Sequence, residues 1–324
     1  MTNMTNSILV HSNMEIAPVN IEDLYTNTLT AETKRSYMQT IKEFFGVNEL
    51  SQISIEDMQK VTPDMANEYA HRLLDKGIHK ATINKKLSAL QNFYKFLCRR
   101  NIGICSYNPF STDEGCIRFK NASKDYSDKR VLSAEEVKAL FESARNTEGI
   151  KGIRDLLILE LLATTGMRRA ELCGIKIGDI KLNLGKKVIE ITGKGDKTRM
   201  IVVSGNVDKL IDQYLAARGV TYQDKDLPLL TTHSPRGTGK PMTANTVYRA
   251  VKEHADNAGI DADSISPHAL RATYATTVYD NLDMDVNTIR QLMGHSSQAT
   301  TQRYIKSVNM IRNNPADKLD NMFK

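Results

Sequence analysis

The chain has 324 residues, about twice the size of a typical domain, so two domains are expected. Hydrophobic residues make up 40% and charged residues 25%, and no run of about 18 apolar residues occurs, which excludes a wholly disordered chain and a helical membrane protein. Lys and Arg number 44 against 38 Asp and Glu, a formal net charge of +6 that points weakly to a polyanionic partner.

Residues 1–18 are polar, rich in Asn, Thr and Ser, and lack a helical period, so a loosely ordered tail is expected. They also lack the basic and apolar regions of a secretory signal. A helical pattern starts after Leu29, with Thr30 as N-cap and Tyr37, Ile41, Phe44 and Phe45 at three- and four-residue steps. A second helix opens at Thr62-Pro63, carries Met65, Tyr69, Leu73 and Leu74, and stops at Gly77. A third runs from about Ala81 to Arg99, with Ile83, Leu87, Leu90, Tyr94 and Leu97 as an apolar stripe. No strand is expected, so residues 19–110 read as a helical domain that Asn108-Pro109 closes. Around the third helix, Lys85, Lys86, Arg99 and Arg100 belong to a lopsided run of seven cations beside one acid, Asp75. A solvated face explains such a run by default, and counterion release from a nucleic-acid backbone is the sharper reading.

Residues 111–130 are polar, charged and aperiodic, as in an interdomain linker. The second domain, 131–324, opens with the capping box Ser133 and Glu136, followed by Val137, Leu140 and Phe141. The dense apolar run Leu156 to Leu162 ends at Gly166. Two short strands, 187–192 and 199–204, flank Gly193-Lys-Gly-Asp-Lys197 as a hairpin. Helices are expected near 206–218, 243–257, 267–281, 286–293 and 299–307. Cys98, Cys105, Cys116 and Cys173 form no CxxC pair and have no His at metal-ligand spacing, so reduced thiols in a cytosolic protein are expected.

The chemistry-bearing residues lie in the second half. His268 and Arg271 are three apart on a helix opened by Ser266-Pro267, which puts both on one face. An Arg presents a fork of donors that fits two phosphate oxygens, and a nearby His can share a proton. Taken alone, the pair is as readily a capping His and a surface Arg. Arg168 stands at a tight corner after Gly166, and Glu171, one turn on, either orients a neighbour or is a surface acid. Lys194 occupies the hairpin tip, where a Lys is ordinarily solubilising but can also deliver a proton. His295 follows an apolar helix, and Tyr304 comes nine residues later. A Tyr hydroxyl, with a pKa of about 10, becomes a nucleophile only beside a base or in a cationic pocket.

Arg168 in TGMRRAEL, Lys194 in TGKGDKTR, His268 and Arg271 in HALR, His295 in LMGHSS and Tyr304 in TQRYI together resemble the tyrosine recombinase (phage integrase) family, in its order and spacing. The resemblance covers nearly all of the second domain and, more weakly, the helical N-terminal domain. It implies a mainly α fold: a helical SAM-like core-binding domain, then a mostly helical catalytic domain with a small antiparallel β-sheet. In size and layout the chain is similar to Xer-type simple recombinases, with no separate arm-binding domain before the helices. Met167 stands where Leu is commoner, a mild swap. The long linker leans toward a mobile-element enzyme.

The resemblance also implies roles. Tyr304 attacks a scissile DNA phosphate, forming a 3′-phosphotyrosine link and releasing a 5′-hydroxyl. Arg168 and Arg271 hold the non-bridging oxygens, His268 and His295 hydrogen-bond the same group, and Lys194 is the general acid, with Glu171 in support. Arg249 and Lys252 join the first domain's cations as DNA contacts. No cofactor, ATP or metal is implied, in keeping with a sequence that lacks a P-loop and a carboxylate cluster. Four protomers would bind two duplexes of double-stranded DNA, with 314–324 exchanged between neighbours, in the cytoplasm and away from membranes. A type IB topoisomerase shares the chemistry but needs no second site, and a regulator with a vestigial site is argued against by the full set of six residues.

Overall fold

The structure is a computed structural model that describes residues 21–120, 130–193, 198–233, 238–282, 284–295, 298 and 301–302. The expected tail at 1–18, the tip Lys194, the nucleophile candidate Tyr304 and the segment 314–324 lie outside the described residues. The chain splits into two compact units, Met1–Asp125 and Tyr126–Lys324.

Among the described residues of the first unit the regular elements are helices: α1 (Ile21–Thr26), α2 (Ala31–Phe45), α3 (Ile55–Gln59), α4 (Pro63–Asp75) and α5 (Lys80–Leu97). Helix α4 starts as its sequence demands, with Pro63 in the first turn and the Thr62 hydroxyl accepting from Met65 N at 3.3 Å. Thr30 holds the cap position of α2, but its hydroxyl donates to Thr33 Oγ1 at 2.9 Å instead of taking a backbone N–H. The stripe on α5 is the centre of the core: Ile83, Leu87, Leu90, Tyr94 and Leu97 are all 0% exposed. Aromatic side chains fill the space around it, with Tyr25 edge-on to Phe93 at 5.0 Å and Phe44 edge-on to Phe110 at 5.2 Å.

The expected linker needs correcting at its start. Ser111 to Phe119 packs on the first unit: Cys116 is buried, and Ile117 and Phe119 join the same core. Asn67 and Asn84 fix this stretch, Asn67 Oδ1 accepting from Ile117 N at 2.9 Å and Asn84 Oδ1 from Phe119 N at 3.1 Å. Residues 121–129 lie outside the described set.

The second unit contains α6 (Ala134–Arg145), α7 (Gly149–Thr165), α8 (Arg169–Gly174), α9 (Gly205–Arg218), α10 (Ala244–Asn257), α11 (Pro267–Asn281) and α12 (Val286–Met293). The Ser133 capping box forms as read, Glu136 N donating to Ser133 Oγ and Ser133 N to Glu136 Oε2. Helix α7 is apolar on most sides because it is packed on most sides, by α6, α8, α9, α10 and α11. Three antiparallel strands, β1 (Ile180–Asn183), β2 (Lys186–Thr192) and β3 (Thr198–Val202), pair in the order β1-β2-β3, aligning Ile180, Ile189 and Ile201 on the core side. Strand β1 was not expected: Ile180, Lys181, Leu182 and Asn183 do alternate, but four residues are too few to mark a strand, and Leu182 is exposed. The expected second strand is shorter than 199–204 because Ser204 leaves it to cap α9.

Charge is buried in this unit. Asp155 is fully enclosed and accepts from Arg154 Nε at 2.8 Å, with Lys151 Nζ at 3.1 Å. His254, also fully enclosed, sits between Asp155 Oδ2 at 3.3 Å and Ser143 Oγ at 2.9 Å. Burial alone would raise the Asp155 carboxyl, but its bonds from His254 and Arg154 overcome that and hold it below the usual range. No described helix is long and apolar enough to cross a membrane.

Candidate active site

The corner between α7 and α8 is made by Gly166, which ends α7 in the left-handed region at φ 60°. A Cβ at Gly166 would lie 2.3 Å from Tyr274 Cδ1 of α11, so only glycine brings the corner this close to that helix. The next turn begins at Arg168, whose backbone N–H donates to Glu171 Oε2 at 2.7 Å. The same acid accepts from Arg168 Nη1 at 2.8 Å through Oε1, while Arg168 Nη2 donates to the Gly294 carbonyl at 2.9 Å. Arg168 is therefore held at both ends, and its side chain remains 39% exposed.

Arg271, on α11, is only 2% exposed. Its Nη1 donates to the Gly166 carbonyl, and its Nη2 to the Met293 carbonyl and to His295 Nε2, both at 2.7 Å. Because guanidinium can only donate, His295 Nε2 is the acceptor and its Nδ1 carries the proton, donated to Thr301 Oγ1 at 2.8 Å. Burial pushes the imidazole pKa down, and Arg271, Arg168 and Arg199 push it further, to about 3. His295 is thus a neutral ring with both nitrogens engaged inside the protein. In this state it orients Arg271, where the sequence implied a direct bond to phosphate.

Arg199, on β3, closes the cluster. Its Nη1 and Nη2 donate to Glu171 Oε1 and Oε2 at 3.0 and 2.8 Å, and its Nε to the Leu292 carbonyl at 3.3 Å. Burial alone would raise the Glu171 carboxyl, but Arg199 and Arg168 together bring it down to about 2. The last two carbonyls of α12 and that of its cap, Gly294, thus each receive a different arginine: Leu292 takes Arg199, Met293 takes Arg271 and Gly294 takes Arg168. A helix C-terminus carries partial negative charge, which suits it to this task.

The structure therefore brings Arg168, Glu171, Arg271 and His295 together and places His268, exposed, in the first turn of α11. Arg199 was missed, although it is the last letter of TGKGDKTR; the signal available was one charged residue in a short strand. Among the expected DNA contacts, Lys85, Arg99, Arg100 and Arg249 are exposed, with Arg99 lying 5.5 Å from the Phe96 ring centre. Lys86 is tied to Glu43 of α2, and Lys252 to the Ala262 carbonyl, with Asp263 at 3.6 Å. Among the described residues no group of three His, Cys, Asp or Glu is placed to hold a metal ion.

Residues 130–310 match the model of the phage integrase family, and residues 22–101 match its N-terminal SAM-like domain. The chain belongs to the phage integrase family. By that membership it is an enzyme, a tyrosine recombinase acting in site-specific DNA recombination. It is 32% identical to the tyrosine recombinase XerD of Haemophilus ducreyi over 232 residues, 71% of this chain and 73% of that one. With the XerC of Listeria monocytogenes serotype 4a it shares 31% over 258 residues, 79% and 81% of the two chains. Its fold matches the XerH site-specific recombinase bound to difH substrate with a TM-score of 0.63, at 23% identity over 88% of this chain and 80% of that one. The Tn1549 transposon integrase in complex with transposon right end DNA matches at 0.61, with 21% identity over 88% and 94%.

Proposed function

We propose that this recombinase cuts and rejoins double-stranded DNA through a 3′-phosphotyrosine link to Tyr304. The observation that carries this reading is the convergence of Arg168 and Arg271, from two separate helices, on the one helix end that precedes Tyr304 in sequence. Arg168 and Arg271 hold the non-bridging oxygens and stabilise the charge that builds on phosphorus. His268, in the first turn of α11, accepts the tyrosine proton, and Lys194 protonates the 5′-oxygen as it leaves. The ester energy stays in the covalent link, so neither ATP nor a metal is called for. Lys85, Arg99, Arg100 and Arg249 supply backbone contacts. Lys86 and Lys252 join them once released from their present partners.

In this reading 1–18 is a tail, 121–129 links the two units, and 314–324 docks on the neighbouring protomer in a ring of four around two sites. The setting is cytoplasmic. Burial raises the Cys105 and Cys173 thiols to about 11, which suits inert reduced cysteines. The lean toward a mobile-element enzyme rests on a long linker, and with 111–119 packed on the first unit that ground is withdrawn.

The test starts from a random duplex library incubated with the full chain, from which covalently bound DNA is recovered and sequenced. Tyr304→Phe should lose covalent capture of the selected duplex and still shift it on a gel. Capture by Tyr304→Phe would make the assignment wrong, and relaxation of plasmid without exchange between two selected duplexes would favour a topoisomerase.

A further inference from the structure

The roles proposed above leave Arg199 unused, yet its guanidinium makes three hydrogen bonds within the site. Both of its terminal nitrogens lie on Glu171, and its Nε lies on the helix end that also holds Arg168 and Arg271. Its neighbours explain what this accomplishes. A scissile phosphodiester carries one negative charge and gains a second as the tyrosine oxygen adds to phosphorus. Arg168 and Arg271 bring two positive charges, but Glu171, which clamps Arg168, takes one away. His295 adds none, since it is neutral with Nε2 accepting from Arg271. These groups together carry a formal +1, a match for the resting phosphate alone. Arg199 raises the cluster to +2, a match for the doubly charged transition state, with the Lys194 proton counted apart because it goes to the leaving 5′-oxygen and not to the non-bridging oxygens. Arg290, the remaining arginine at this helix end, bonds the His295 carbonyl at 3.3 Å and not Glu171.

We infer that Arg199 is a positioning residue that offsets the charge of Glu171, so that the clamp on Arg168 does not weaken the site's hold on the transition state. The inference rests on the phosphate reading of Arg168 and Arg271. It gives Glu171 and Arg199 one joint task. The acid supplies the geometry for Arg168, and the second arginine cancels the electrostatic side effect. Removing the arginine alone is then worse than removing both.

The test uses the full chain and the duplex captured by the wild type, with the scissile phosphate either native or replaced by a neutral methylphosphonate. Arg199→Gln should slow covalent capture of the native duplex by about 100-fold, the scale of one lost transition-state donor, with DNA affinity changed by no more than about twofold. On the methylphosphonate, where one charge fewer must be met, the slowing should be no more than about fivefold. Adding Glu171→Gln restores the +2, and the double variant should regain at least about tenfold of the lost rate. Thermal melts of each variant accompany the rates; if Arg199→Gln fails to fold because Glu171 is left uncompensated, the double variant, which removes both charges, carries the test. A folded double variant as slow as Arg199→Gln, or slower, overturns the inference. So does equal slowing on both substrates, the result of a merely structural role. Failure of the functional reading itself shows separately, as continued capture by Tyr304→Phe.

Discussion

In the first unit the buried polar side chains are Thr26 and Thr40, and no charged side chain is buried among its described residues. In the second, Arg154, Asp155, Glu160, His254, Arg271 and His295 are all buried. The first unit closes its core with aromatic rings that meet edge to face, and its cations stay at the surface: Lys85, Arg99 and Arg100 are exposed. The second closes a mostly aliphatic core and then takes charges out of water. Desolvating a charge is costly unless every donor and acceptor is met, and here each buried arginine finds carbonyls or a carboxylate. The difference teaches what each unit would need for the task proposed for it. A surface that tracks a polyanion needs mobile cations, whereas a site that must meet one phosphate needs cations that cannot move.

Substitutions test this contrast. The largest expected effect is Asp155→Ala, which leaves Arg154, Lys151 and His254 facing a void. It should cost the second unit about 4 kcal/mol in urea unfolding, and a loss under about 1 kcal/mol would show that this charge cluster is not held as described. Leu90→Ala, which opens a cavity in the first unit at a position 0% exposed, should cost about 3 kcal/mol. Hydrogen exchange should place that loss in residues of the first unit; loss of protection in the second would contradict their separation into two units.

The smallest effect, taken per pH unit, is a pH dependence. The His295 ring binds its proton near pH 3 in the folded chain and near 6.5 when unfolded. Unfolded chains therefore take up a proton that folded chains refuse, and stability falls as pH drops from 6.5 toward 3, by at most about 1.4 kcal/mol per unit. Glu171, with its carboxyl at about 2 against 4.5, contributes stability above pH 4.5 that is lost only as pH falls toward 2. Between pH 6.5 and 4.5 His295 shares the slope with His233, whose imidazole burial also holds below its usual range, so His295→Gln should flatten it in part in unfolding experiments across that window. An unchanged slope would mean that the ring is not held neutral.

What could be read in the sequence follows from distance along the chain. Gly166, Arg168 and Glu171 form a corner within six residues, so capping rules expose it, and His268 with Arg271 share one helical turn. The stripe on α5 was legible for the same reason. Arg199 was not, because its partner Glu171 is 28 positions away and nothing in a five-residue strand marks a side chain for it. Asp155 and His254, 99 positions apart, are likewise silent until the fold joins them. The stretch 111–119 misled through composition. Its polar residues outnumber Cys116, Ile117 and Phe119, and those three are the ones that pack. The polarity of His295 was legible, but not the tautomer, which depends on Arg271 and Thr301 together.

Helix α12 is eight residues long; its last two carbonyls receive guanidinium groups from β3 and α11, and the carbonyl of its cap, Gly294, receives one from the start of α8. Successive carbonyls on an α-helix are separated by a rise of about 1.5 Å and a fixed rotation, among the most reproducible spacings a polypeptide can make. The helix end therefore acts as a jig. Arg199 and Arg271, from distant places along the chain, are set at an interval that the helix itself dictates, and Arg168 is set by the left-handed turn of Gly294 that follows it.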